Sequence, residues 1–121
     1  MARILLVDDE LQLAQIYAQI LRERGHEVTL AHSGKDALDK VPNLTLDFIL
    51  MDIQMPVMDG IEATRQLKSS ELAEIPIFAL TNLQLPEEVS AALDAGCDGY
   101  LAKPSDPEVL ADEIALILKG E

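Results

Sequence analysis

Four apolar runs stop at residues able to do chemistry. Ile4-Leu5-Leu6-Val7 runs into Asp8-Asp9-Glu10, and Phe48-Ile49-Leu50-Met51 runs into Asp52. Ile75-Pro76-Ile77-Phe78-Ala79-Leu80 runs into Thr81-Asn82, and Gly99 to Ala102 runs into Lys103-Pro104. If the runs are parallel strands, three carboxylates, a hydroxyl and an ammonium face one rim. Asp8, Asp9 and Asp52 brought within a few ångströms repel one another. Two like charges about 4 Å apart cost about 4 kcal/mol at an effective dielectric of about 20. Lys103 cannot offset three carboxylates, whereas a divalent cation supplies the missing charge. Oxygen ligands without histidine or cysteine favour magnesium or manganese over zinc. A carboxylate beside such an ion can attack phosphorus and form an aspartyl phosphate. The ion and Lys103 would neutralise the equatorial oxygens, and the Thr81 hydroxyl could donate to the new phosphoryl group.

The elements that must position these residues alternate along the chain. Apolar runs at 4–7, at 46–51 around Asp47, and at 75–80 read as strands buried on both faces, with weaker candidates at 26–31 and 99–102. Between them, Leu13, Ile16, Tyr17 and Ile20 predict a helix ended near Gly25. Ser33 and Asp36 predict a capped helix through Val41. Ile61, Thr64 and Leu67 form a third stripe, and Val89, Ala92, Leu93 and Gly96 a fourth, with Pro86 in its first turn. Leu110, Ile114, Ile117 and Leu118 form the fifth, opened by Ser105-Asp106-Pro107-Glu108. Alternating strands and helices predict an α/β fold with a parallel sheet covered on both faces. Such sheets bind ligands beyond the carboxyl ends of their strands.

The bulk properties set limits. The 121 residues suit one domain over positions 1–121, and 49% hydrophobic with 26% charged residues is a folded, soluble composition. No apolar run approaches the roughly 20 residues of a membrane span. A formal net charge of −13 opposes binding of nucleic acid or anionic lipid. One cysteine, Cys97, excludes an internal disulfide and fits a cytoplasmic setting. Taken singly, each rim residue has a plain reading. Asp8 and Asp9 could cap a helix, Asp52 could be a loop acid, Thr81 could end a strand, and Lys103 could be a solvated lysine before a turn proline. Tyr100 could be a half-buried strand aromatic, and Met51, Met55 and Met58 read as packing. Together, at four strand ends, the rim residues read as a site.

The segments Ile4 to Glu10, Ile49 to Gly60, Ala79 to Asn82 and Gly96 to Pro104, in order and at this spacing, resemble the receiver domain of two-component response regulators. The resemblance covers nearly the whole chain. It implies a flavodoxin-like, doubly wound fold of five parallel strands in the order 2-1-3-4-5 with five helices. It further implies that Asp52 accepts a phosphoryl group from a phosphohistidine on a histidine kinase or histidine phosphotransfer protein. Asp9, Asp52 and the backbone carbonyl of Gln54 would bind magnesium, with manganese able to substitute, and Asp8 would act mainly through a bound water. Lys103 would meet the phosphoryl oxygens, and its bond to Pro104 is expected to be cis. Thr81 and Tyr100 would form a switch pair that alters the face of the fourth helix, fifth strand and fifth helix, where a downstream protein docks. The implied molecule is a signalling receiver rather than an enzyme acting on outside substrates. It would bind no nucleic acid directly and insert into no membrane, and it would be a monomer or a phosphorylation-dependent dimer.

Three positions carry expectations about timing. Asn82 is larger than the residue usual after the switch threonine, and Gln54 and Leu83 stand where the family tunes attack of water on the acyl phosphate. Leu83 would orient water poorly, which predicts a long-lived phosphoform. Two other classes compete. An aspartate-nucleophile phosphohydrolase places a second Asp two residues after the nucleophile, and here that position is Gln54. A phosphate-independent binding module would not require the intact acid, threonine and lysine set. The opening methionine directly before the first strand favours a stand-alone regulator over a piece of a hybrid kinase or longer regulator.

Overall fold

The computed structural model describes residues 2–53, 60–81, 86–104 and 106–119. Strands and helices alternate as β1 (Arg3–Val7), α1 (Leu11–Glu23), β2 (Glu27–Ala31), α2 (Gly34–Lys40), β3 (Phe48–Asp52), α3 (Gly60–Lys68), β4 (Ile77–Thr81), α4 (Pro86–Ala95), β5 (Gly99–Ala102) and α5 (Pro107–Lys119). A 3-10 turn, Val41–Asn43, follows α2. The strands form one parallel sheet in the order β2-β1-β3-β4-β5.

The apolar runs are unbroken because both faces of the sheet are covered. Leu5, Val7, Ile49, Met51, Ile77 and Ala79 project to one side and pack with Ala37, Ala63, Leu67 and Ala92 of α2, α3 and α4. Their neighbours Ile4, Leu6, Phe48, Leu50 and Leu80 project to the other side, against Ala14, Tyr17, Leu21, Leu110 and Ile114 of α1 and α5. The period of two along each strand therefore divides the core into two layers.

Local signals place the helix ends. Ser33 caps α2, its Oγ accepting the Asp36 N–H at 3.0 Å, and the Asp36 carboxylate accepts the His32 N–H at 3.1 Å. α1 closes through Gly25 at φ 94, with Gly25 N–H on the Arg22 carbonyl at 3.0 Å and His26 N–H on the Leu21 carbonyl at 3.1 Å. That commitment of His26 is why β2 begins one residue later than the apolar pattern predicts. β4 begins at Ile77 rather than Ile75, because the Ile75 N–H closes a turn on the Leu72 carbonyl and Pro76 has no N–H to give the ladder.

Two helices turn differently from their predicted stripes. In α1 the buried face is Ala14, Tyr17, Ala18 and Leu21, while Ile16 is 48% exposed. Alanines let the helix approach the sheet closely, so bulk alone misplaces the face. In α4, Ala92 and Ala95 are buried and Leu93 points outward, and Gly96 lies beyond the helix end.

At the amino-terminal edge of the sheet, Lys68 ties α3 to the last two strands. Its Nζ donates to the carbonyls of Ala73 (3.0 Å) and Ile75 (2.9 Å) and pairs with Asp98 Oδ2 at 3.0 Å. The same carboxylate oxygen accepts the Ile77 N–H at 2.8 Å, next to the start of β5. Among the described residues, no helix is long and apolar enough to cross a membrane.

Candidate functional site

Parallel register brings the chemistry to the carboxyl edge. Val7 lies opposite Met51, Asp52 opposite Leu80, and Thr81 opposite Ala102, so the residues that end these strands share one rim. Asp8 and Thr81 are fully buried and Asp52 is 1% exposed, whereas Asp9 is exposed. α1 begins at Leu11 without a side-chain cap, so neither Asp8 nor Asp9 serves as its N-cap. One Asp8 oxygen accepts the Glu10 N–H at 2.9 Å, which folds the chain back after β1 and aims the other oxygen inward.

Lys103 is the centre of the cluster. Its Nζ lies 3.0 Å from Asp8, 3.1 Å from Asp52 and 3.5 Å from Glu10, with the lysine side chain 2% exposed. Burial alone would depress the ammonium pKa. The adjoining Asp8 and Asp52 carboxylates outweigh that penalty and push it up to about 12, so Lys103 stays charged.

Carboxylate oxygens of Asp8, Asp9 and Asp52 lie within 4.8 Å of one another. The inward oxygen, Asp8 Oδ2, is buried and has the lysine as an ion-pair neighbour but no aligned hydrogen bond. Three hard oxygen donors, two buried and one open to solvent, fit a magnesium or manganese ion.

The structure therefore brings Asp8, Asp9, Asp52 and Lys103 together, and it places Thr81 at the same edge. The Thr81 carbonyl accepts the Lys103 N–H at 3.0 Å, which fastens the lysine backbone to β4. Tyr100 lies on β5 next to β4 and is 45% exposed. It lines a groove of about 440 Å³ with Pro86, Val89, Ser90 and Leu93. Gln54, Asn82 and Leu83 lie outside the described residues, as does the 55–59 stretch.

One expectation is corrected. The Lys103–Pro104 bond is trans, as are all the described peptide bonds. Trans is the lower-energy isomer of an X–Pro bond by about 0.5–1 kcal/mol, and Lys103 reaches both Asp8 and Asp52 with the bond in that form.

Two participants escaped the sequence reading. Glu10 adds a third, exposed carboxylate to Lys103. Tyr17, expected only to pack, also donates its hydroxyl to the Pro104 carbonyl at 3.1 Å. The acidic run Asp8-Asp9-Glu10 could have signalled the first. Nothing local signals the second.

This fold and rim define a class, and comparison with known proteins agrees. The chain belongs to the response regulator receiver domain family, whose model matches residues 4–115. It is 43% identical over 114 residues to a gliding motility regulatory protein of Myxococcus xanthus, covering 93% of this chain and 15% of that protein. It is 35% identical over 115 residues to the CAI-1 autoinducer sensor kinase/phosphatase CqsS of Vibrio cholerae, covering 93% of this chain and 17% of that protein. The chain thus spans under a fifth of the length of these two relatives. Among solved structures it is similar to the chemotaxis response regulator CheY4 of Vibrio cholerae. That pair has a TM-score of 0.88 and 33% identity, covering 97% of this chain and 98% of the other.

Proposed function

We propose that the whole chain, 1–121, works as one phosphoacceptor receiver in a two-component phosphorelay. The observation that supports this best is the buried Asp52 carboxylate facing the charged Lys103 ammonium at 3.1 Å, within an acidic cluster at the carboxyl rim. An Asp52 oxygen attacks the phosphorus of a phosphohistidine, carried by a histidine kinase or histidine phosphotransfer protein. The new O–P bond forms as the P–N bond breaks, and the electron pair of that bond leaves with the imidazole nitrogen. Lys103 holds the phosphoryl oxygens, and the Thr81 hydroxyl donates to one of them. Asp8, Asp9 and Asp52, with the Gln54 carbonyl, would hold a magnesium or manganese ion, which when bound adds positive charge against the phosphoryl group.

Phosphorylation draws Thr81 to the phosphoryl group, and Tyr100 turns in from its exposed position. The face of α4, β5 and α5 then changes for a downstream protein. The domain catalyses only its own phosphorylation and dephosphorylation, and it acts in the cytoplasm, as a monomer or a phosphorylation-dependent dimer.

The test is incubation with acetyl phosphate or a phosphorylated kinase, with and without magnesium. A receiver gains one base-labile phosphoryl group, requires the ion, and loses the modification in Asp52→Asn. Repeated release of phosphate, or labelling that survives Asp52→Asn, would refute the reading.

A further inference from the structure

The segment that carries Lys103 is anchored on both sides. Its N–H is fixed to the Thr81 carbonyl at 3.0 Å on β4, and the Pro104 carbonyl accepts the Tyr17 hydroxyl at 3.1 Å from α1. Pro104 has a locked φ and no N–H, so its carbonyl is the backbone group left to hold the chain as it leaves the lysine. Tyr17 is 1% exposed and its ring sits in the core layer of Leu6, Leu110 and Ile114. Phenylalanine would fill that volume equally well. The hydroxyl adds a directed contact across 87 residues of sequence. It also lies in the field of the rim. Burial raises the phenol pKa, Lys103 pulls it down, and Asp8 and Glu10 push it up.

We propose that Tyr17 is a positioning residue for phosphoryl transfer, its hydroxyl holding the Pro104 carbonyl so that the Lys103 ammonium is set against Asp52. This role rests on the receiver reading, because Tyr17 acts only through Lys103. Without the hydroxyl, the lysine backbone keeps its β4 anchor alone. The ammonium then has a competing partner in Glu10, 3.5 Å away and facing solvent.

The experiment compares the full chain with Tyr17→Phe and Tyr17→Leu. Acyl-phosphate formation is followed by intact mass over a series of acetyl phosphate concentrations with magnesium. The carbonyl carbon resonance of Pro104 is recorded in the unphosphorylated proteins, at a temperature where each is folded. Tyr17→Phe is expected to shift that resonance and to slow labelling at saturating donor on the order of tenfold. That is less than the hundredfold a full ångström of misplacement can cost. The half-saturating donor concentration should stay unchanged and the melting temperature nearly so. Tyr17→Leu is expected to be equally slow while melting earlier, which separates the hydroxyl from the packing. An unshifted Pro104 resonance, or a shifted one with wild-type labelling, overturns the positioning role and leaves the receiver reading standing. A wild-type chain that takes no label overturns both.

Discussion

The Cβ that Gly60 lacks would fall on the backbone of Asp52, 2.8 Å from its carbonyl carbon and closer still to the oxygen. The first residue of α3 is therefore seated directly against the proposed phosphoacceptor. Backbone cannot swing aside as a flexible side chain can. Gly60→Ala is expected to cost about 3 kcal/mol, at the upper end of ordinary overpacking. It should also slow phosphorylation by displacing Asp52. Urea unfolding and acetyl phosphate labelling check both effects, and an unchanged midpoint would contradict the contact.

Lys103 keeps two buried carboxylates compatible. Asp8 and Asp52 are 0% and 1% exposed, and each lies about 3 Å from the ammonium. Lys103→Met leaves that negative pair uncompensated, and removing one partner of a buried ion pair costs about 3–5 kcal/mol. Magnesium should recover part of the loss by binding the folded rim, and its stabilising effect should exceed that on the wild type. Chemical denaturation of both proteins with and without the ion measures this. Equal magnesium responses would exclude the acids as the binding site.

His26 ties acid sensitivity to the opposite edge of the sheet. Its Nδ1 accepts the Ala2 N–H at 3.1 Å, which requires the neutral ring. Burial lowers the pKa below the ordinary 6.5, and the nearby positive charge of Arg24 adds to the effect. A depressed histidine pKa gives stability that is complete above the unfolded value. It is lost as pH falls from 6.5 through the folded value. His26→Asn retains an acceptor that does not protonate in this range. The unfolding midpoint of the wild type should drop more than that of the variant between about pH 7.5 and about pH 5.5. Parallel decline of the two would rule out this histidine.

The residues expected to set the phosphoform lifetime, Gln54, Asn82 and Leu83, make a separate prediction. Leu83 offers water no hydrogen bond, so the acyl phosphate should outlast that of fast chemotaxis receivers. Loss of label from the purified phosphoprotein gives the lifetime directly. Decay within seconds would refute the expectation, and Leu83→Gln should accelerate decay if side-chain orientation of water is what is missing.

The sequence disclosed what is repeated or concentrated along the chain. Runs such as Ile4 to Val7 betray strands buried on both faces, and acids at their ends betray the rim, because a charge placed where a buried strand stops needs a reason to be there. The orientation of α1 was not legible. Ala14 and Ala18 face the sheet while the bulkier Ile16 faces solvent, a choice made by how near two backbones must come. Contacts between distant segments were equally hidden, as with Tyr17 and Pro104, because each residue has a sufficient local explanation of its own.

The bonds of Lys68 give β4 and β5 unequal ends. Near the beginnings of these strands, one ammonium and one carboxylate clamp α3, the 73–75 turn, Ile77 and Asp98 together. Thr81 sits at the far end of β4, opposite Ala102 of β5. With the root held in this way, a pull on the Thr81 tip should show as displacement of the carboxyl ends of β4 and β5, like a reed bending above its clamp.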